Sequence, residues 1–381
     1  MWTRPTPYHQ RMLSQTVDPL PPPSPGRSDG SRAPGPRIVP SPPGRPGRHR
    51  PALAAALSVL GASAALLSGC TSDSAAVSPT TPTAYVVTGA GVANPGQTVA
   101  VVDTSASKAQ PPIVTGTLPS ALAVTPDGKD VLVANKGNDT VAEIDVASGD
   151  VVAHADVGLE PDAVAVAPGG TLALVANFGD NSVTPISLPS LRVGRPVPVG
   201  RQPVAIAISP KGTTALVANY EDGSVTPVAL PSLVAGAPVA AGAEPSAVLV
   251  TPDGSTALVA DFQTSTVTPI RLATRTPGPA IAVAGNPTGI AALASSASAY
   301  VSGGDTVTPI DLATEQSGPA IAVGTLAEGL ALAPGGTTAW VSGLNGTLIH
   351  VDLRTRTVLG RVTVGGLPAA VVIAGVPLTS G

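Results

Sequence analysis

One short pattern, Pro-x-[Ala/Gly]-[Val/Leu/Ile], recurs along the chain at Pro119, Pro161, Pro203, Pro245 and Pro287, every 42 residues. It returns at Ala327, 40 residues further on, and at Pro368, 41 beyond that. A fixed period in this range means that one structural unit is stacked against copies of itself. The unit at 161–200, "PDAVAVAPGGTLALVANFGDNSVTPISLPSLRVGRPVPVG", contains four short apolar runs. They read "AVAVA", "LALVAN", "SVTPISL" and "GRPVPVG". Pro-Gly-Gly and Pro-Asp-Gly follow the first run in several copies, and Pro with Gly sets up tight turns. Four short strands per 40–45 residues predict a β-propeller blade.

The ends of the repeat complete each other. The last copy, "PAAVVIAG", has no second strand after it. At the other end, "TAYVVTG" (83–89) and "TVAVVDT" (98–104) match second and third strands with no first strand before them. The prediction is an all-β, seven-bladed propeller of four-stranded blades over residues 83–376. Its ring is closed by pairing the C-terminal strand with the N-terminal ones, which leaves no open inner edge. The strands are apolar almost throughout, as expected where neighbouring blades cover both faces. Aromatic residues make up only 2% of the chain against 43% hydrophobic, so the core must come from Ala, Val, Leu and Ile. Pro185, Pro227, Pro269 and Pro309 recur inside the third strand, where a missing N–H should break the ladder. A bulge there, or an N–H turned away from the fourth strand, would accommodate them.

The N-terminal region reads as an address. Residues 51–69, "PALAAALSVLGASAALLSG", form an apolar run without charge, preceded by Arg45, Arg48 and Arg50 and ended by Cys70. Basic, apolar and small-residue segments in that order make a secretory signal. Leu67-Ser68-Gly69-Cys70 resembles the lipobox of bacterial lipoproteins. That resemblance implies a lipidated Cys70 on the outer face of the cell membrane, with residues 71–82 as a flexible tether. An uncleaved transmembrane anchor is the alternative, and either reading leaves the Arg cluster inside. Residues 1–50 carry eight Arg against two Asp and are Pro-rich, so they read as a disordered segment or as one preceding the true translation start. The other residues hold 12 Lys or Arg against 22 Asp or Glu. A domain so acidic repels phosphate backbones, so nucleic acid is not expected as a partner.

The repeats themselves resemble the YVTN family of β-propellers from bacterial and archaeal surface and periplasmic proteins. The similarity lies in the P-x-A-V-A-V-x-P-D-G-x-T-A-L-V-A-N core at 119–135, 161–177 and 203–219, and in the T-V-T-P-I-x-L that follows it. It implies the propeller fold; that family includes enzymes, adhesion modules and other roles, so it does not imply an activity.

Chemistry is sparse. His154 and His350 are the only histidines within the repeats and fall in different blades, as ordinary strand positions. No zinc, haem-attachment, nucleophile-elbow, phosphate-loop or calcium-loop motif occurs. The reading assigns no catalytic residue, metal or cofactor, and a monomer is expected. Variation concentrates between the second and third strands, on the face that also carries the loops entering each next blade. Asn177, Asn219 and Asp261 hold equivalent positions there, followed by Phe178, Tyr220 and Phe262. Asp180, Glu221 and Asp222 lie nearby, with Asp162 and Glu244 beside the loops that enter the blades. Lys136 replaces the aromatic in the first full copy, and Gly303 and Gly343 are aligned with it in later ones. An aromatic arc edged by carboxylates suits a sugar, a peptide or a cation; the same rings would equally serve as caps on the seams between blades. The expected function is therefore a non-enzymatic, membrane-tethered scaffold binding a protein or small ligand on this face. The alternatives are a lactonase-like hydrolase and a purely structural spacer.

Overall fold

The structure, a computed structural model, describes residues 82–89 and 96–374. The signal segment, Cys70 and the tether lie outside the described residues. So do residues 375–376 at the end of the predicted propeller.

The strands form seven antiparallel sheets arranged as a β-propeller. Blades are numbered here in chain order. Blade 1 runs from its inner to its outer edge as Leu367–Ala374, Thr83–Gly89, Thr98–Asp103 and Lys108–Val114. The last strand of the chain thus pairs with the first, with Tyr85 opposite Val372 and Val86 opposite Val371. The predicted closure is present, and it hydrogen-bonds the two ends of the ring. The inner strands of blades 2 to 7 begin at Pro119, Pro161, Pro203, Pro245, Pro287 and Ala327. Each inner strand touches the inner strand of the next blade, all the way around.

Each of the seven seams has its own apolar cluster. Tyr85, Val101 and Leu122 join blades 1 and 2, and Leu132, Val164 and Ile186 join blades 2 and 3. Trp340 lies in the seam that closes the ring, against Val86 and Val371. Small and branched side chains fill the narrow space between stacked sheets, and each buried Val, Leu or Ile contributes about 1.5–3 kcal/mol. Such a frame needs few aromatic residues, in keeping with the composition.

The bulge expected at the third-strand prolines is present. Ile186 pairs with Val193 but Val183 with Val197, so the outer strand carries one extra residue opposite Pro185, whereas an N–H turned away from that strand is not what occurs. Blades 3 to 6 contain Pro185, Pro227, Pro269 and Pro309, and in these four the outer strand is split into two short pieces. Blade 3 has Arg192–Val193 and Val197–Pro198 in place of the continuous fourth strand expected over 194–200. Blades 1, 2 and 7 have Val101, Glu143 and His350 at the proline position, and their outer strands are unbroken. Each proline carbonyl still accepts a bond from the outer segment, from Gly194, Gly236, Gly278 and Gly318 respectively. Carbonyl and N–H of one antiparallel residue point the same way. The missing N–H therefore faces the fourth strand, and that strand is interrupted where it would have needed a donor.

Candidate functional site

Inner strands run from the face carrying the second-to-third-strand loops towards the opposite face. On the opposite face, the Pro-x-Gly turns are uniform, with Gly128, Gly170 and Gly254 at φ values of 72°, 67° and 72°. The loop face is not uniform. From the first residue of every third strand (98, 140, 182, 224, 266, 306, 347) to its next repeat start (119, 161, 203, 245, 287, 327, 368), the chain length never changes. All length variation in the ring sits in the loop before the third strand. That loop covers residues 136–139, 178–181, 220–223 and 262–265 in blades 2 to 5. It shrinks to 304–305 in blade 6 and 344–346 in blade 7, and lengthens in blade 1, where the third strand begins only at Thr98.

The sequence-predicted residues fall at the base of these loops. Asn177 and Asn219 are fully buried. Asn177 Nδ2 donates to Ser182 Oγ at 2.9 Å and Thr184 Oγ1 at 2.8 Å, and Asn219 does the same to Ser224 and Thr226. Their Oδ1 atoms have no hydrogen-bond partner among the described residues. Asp261 accepts from the N–H groups of Ala243 and Thr264. A glycine of the preceding loop lies directly over this column. A Cβ on Gly158 or Gly200 would fall 2.5 Å from the Cγ of Asn177 or Asn219. The column is therefore a lock between the end of the second strand and the loop entering the blade, closed to an approaching ligand.

Phe178, Tyr220 and Phe262 expose 7%, 6% and 2% of their surface. They pack into the frame and do not form an open aromatic arc. Asp180 is exposed, but its Oδ2 accepts from the Leu159 N–H at 3.1 Å and its Oδ1 from Ser182 Oγ at 2.6 Å. Asp222 is engaged by Arg201, whose backbone N–H and Nε donate at 2.7 and 2.6 Å, while Arg201 Nη1 reaches Glu221 at 2.9 Å. These bonds, the backbone one foremost, hold the Asp222 carboxyl below the usual range. The alignment of later blades also shifts by one residue. Gly303 and Gly343 pair with the first residues of the third strands, as Asn177 does, so they belong to the Asn column. The residues matching Phe178 are Gly304 and Leu344.

On the inner strands at this face, sequence reasoning noted Asp162 but passed over Glu328. Among all their side chains only Asp162 and Glu328 are ionisable, each immediately following its repeat start. Asp162 accepts an ion pair from Lys136 Nζ of blade 2 at 2.9 Å, and both are largely buried. The same Nζ stands 4.4 Å from the centre of the Phe178 ring, a cation–π contact between blades. Glu328 has no such partner: none of the ion pairs among the described residues includes it. It is partly exposed, yet protein surrounds it, and burial pushes its carboxyl up to about 8.

The histidines are structural. His154 Nε2 lies 3.1 Å from the Thr115 carbonyl, and His350 stacks on Trp340 with ring centres 4.3 Å apart. Burial lowers the pKa of His350. Among the described residues, no three His, Cys, Asp or Glu side chains gather as a metal site would require. On the opposite face, a cavity of about 380 Å³ lies between blades 4 and 5, lined by Lys211, Asp253, Arg275 and the apolar Leu216 and Ile270. No sequence pattern marks it, because its walls come from two repeats that match their siblings.

No family profile and no curated protein sequence matches this chain. Solved structures do match in fold. A functionally unknown protein from Desulfotomaculum acetoxidans superposes with a TM-score of 0.68 at 19% identity, over 77% of this chain and 98% of that one. Hydrazine synthase from Kuenenia stuttgartiensis matches with a TM-score of 0.61 at 19% identity, over 66% of this chain and 88% of that one. Dihydro-heme d1 dehydrogenase NirN, solved in complex with DHE, matches with a TM-score of 0.56 at 16% identity, over 80% and 77% of the two chains. At these identities the likeness concerns the fold: this chain is a seven-bladed β-propeller protein.

Proposed function

We propose that the chain is a binding scaffold of the YVTN propeller type, tethered through lipid on Cys70 to the outer side of the cell membrane. Its propeller engages a protein or small ligand through the loop face. One observation carries this reading: every length change in the ring falls in a single loop position, on one face, while the rest of each repeat keeps its count. Stacking blades constrain strands and turns alike, whereas a loop that projects from the stack is free to diversify, and repeat proteins place binding there. The composition of the face agrees, since its carboxylates and side-chain amides vary from blade to blade.

The test is a crosslinking capture in cells at native expression level. Wild type is compared with a variant in which residues 89–97 are replaced by the four-residue loop Lys-Gly-Asn-Asp of blade 2. A partner captured by wild type and lost in a variant of equal melting temperature supports the reading. Partners identical in both overturn the assignment to this face, and capture of nothing by either moves the reading to a structural spacer. Turnover across a panel of lactones would replace the scaffold with a hydrolase.

A further inference from the structure

The ring contains one charge pair that shows how this face holds a cation, and one place where the same arrangement lacks the cation. In blade 3, Asp162 follows the repeat start by one residue, and Lys136 reaches it from the shared loop position of the preceding blade. In blade 7, Glu328 follows its repeat start in the same way. The loop position of the preceding blade is now Gly304, which has no side chain. That loop is also the shortest in the ring, 304–305 against 136–139 in blade 2. It lies directly beside Glu328, since the Ala327 N–H donates to the Gly304 carbonyl at 2.7 Å. Leu344 stands where Phe178 stands, making the matching bond to the Leu326 carbonyl at 2.9 Å. An apolar neighbour and a carboxylate are thus retained, and the lysine is missing.

The surroundings of Glu328 are neutral. The strands packed against its own are Pro287–Ala292, Ser298–Gly303, Thr338–Gly343 and Leu367–Ala374, and none carries a titratable acid or base other than Tyr300. On the flanking segments the charged groups are Asp305, in the short turn, and Arg361, whose Nη2 donates to the Val323 carbonyl at 2.7 Å. The main-chain carbonyl of Glu328 is already taken by Ser302 Oγ at 2.6 Å and Thr288 Oγ1 at 2.9 Å. The backbone is therefore fixed, and the carboxylate remains to meet something.

We infer that the loop-face end of the inner strands at blades 6 and 7 binds a primary ammonium group, with Glu328 as its counter-charge as Asp162 is for Lys136. The inference rests on the scaffold reading and specifies the chemistry of its ligand. The ammonium comes either from a small amine or from a lysine of a partner protein. Binding requires the ionised carboxylate, so below pH 8 each ammonium bound expels a proton. Affinity rises about tenfold per pH unit up to that point.

The probe is n-butylammonium, which reproduces a lysine side chain beyond Cα, titrated into the full-length protein by calorimetry at pH 6, 7 and 8. One saturable site is expected, with a dissociation constant on the order of 1 mM at pH 8 for so small a ligand. It should weaken at lower pH and release nearly one proton at pH 7. Neutral n-butanol should not bind. Glu328→Gln should abolish the site, while its melting temperature shows that it folds. A short lysine peptide that binds more tightly than n-butylammonium assigns the ammonium to a partner; equal or weaker binding assigns it to a small amine. Absence of saturable binding, an affinity independent of pH between 6 and 8, or a site surviving Glu328→Gln overturns the inference. A crosslinked partner that persists on the loop face while n-butylammonium fails leaves the scaffold reading standing and removes only the ammonium site.

Discussion

The Gly194 N–H donates to the Pro185 carbonyl at 2.8 Å, and a Cβ on Gly194 would stand 2.9 Å from Pro185 Cγ. The relationship recurs at Gly236 with Pro227, Gly278 with Pro269 and Gly318 with Pro309, at 3.3, 3.2 and 3.1 Å. Proline breaks the outer ladder, glycine lets the interrupted strand close over the ring, and the resulting outer edge is short and irregular. Such an edge offers little to another sheet seeking to add a strand.

Gly194→Ala should therefore destabilise the propeller by about 1–3 kcal/mol through overpacking against the proline ring. Pro185→Ala in the same chain should recover much of that loss. A urea-denaturation double-mutant cycle measures the coupling. Strict additivity of the two changes would mean that the ring and the glycine do not share one constraint.

Lys136 and Asp162 make a second test. Removing one partner of a largely buried pair leaves an uncompensated charge, which costs about 3–5 kcal/mol. Lys136→Met should lower the melting temperature accordingly, and adding Asp162→Asn should restore much of it. Equal melting of Lys136→Met and wild type would show that water already solvates Asp162.

The aromatic column gives the third. Phe178, Tyr220 and Phe262 are buried, so truncating any one to Ala should cost about 3–5 kcal/mol in thermal or denaturant unfolding. Phe178→Leu, which keeps most of the volume, should cost far less. Unchanged melting in all three Ala variants would return the rings to the ligand-binding role that their spacing first suggested.

Blade number, strand count and ring closure were legible in the sequence because each is a property of periodicity: strand-length apolar runs, turn residues and a truncated copy at either end. The site was less legible, for a physical reason. Asn177 and Phe178 repeat because every blade needs the same lock and the same seam filling, so recurrence there reports packing. Glu328 differs from its sisters, and only its pairing with Lys136's counterpart, the bare Gly304, gives it meaning. That comparison joins residues from adjacent blades, which a repeat-by-repeat alignment keeps apart. The split outer strands were hidden similarly, since Pro185 and Gly194 each look like a flaw until they are placed in contact.

Glu328 also predicts how stability varies with pH. Its carboxyl is raised from 4.5 to about 8 by burial. Between those values the folded chain holds a proton that the unfolded chain releases, so stability falls as pH rises from about 4.5 to 8 and levels off above. Burial raises Glu143 and Asp130 in the same direction, adding to that slope. The turn carboxylates Asp127, Asp145 and Asp253 are held low by hydrogen bonds. Their stabilisation is present above the unfolded pKa and lost as pH falls through their lowered values, so it shapes the acid limb instead. Glu328→Gln removes one titration and leaves the others. At pH 5 the variant should melt close to wild type, and at pH 8 it should melt higher, the gap widening as pH rises between the two values. Thermal melts of both proteins at pH 5, 6, 7 and 8 make the comparison. Parallel curves across that range would mean that the Glu328 carboxyl is ionised in the folded chain at neutral pH, already compensated by solvent or by a group beyond the described residues.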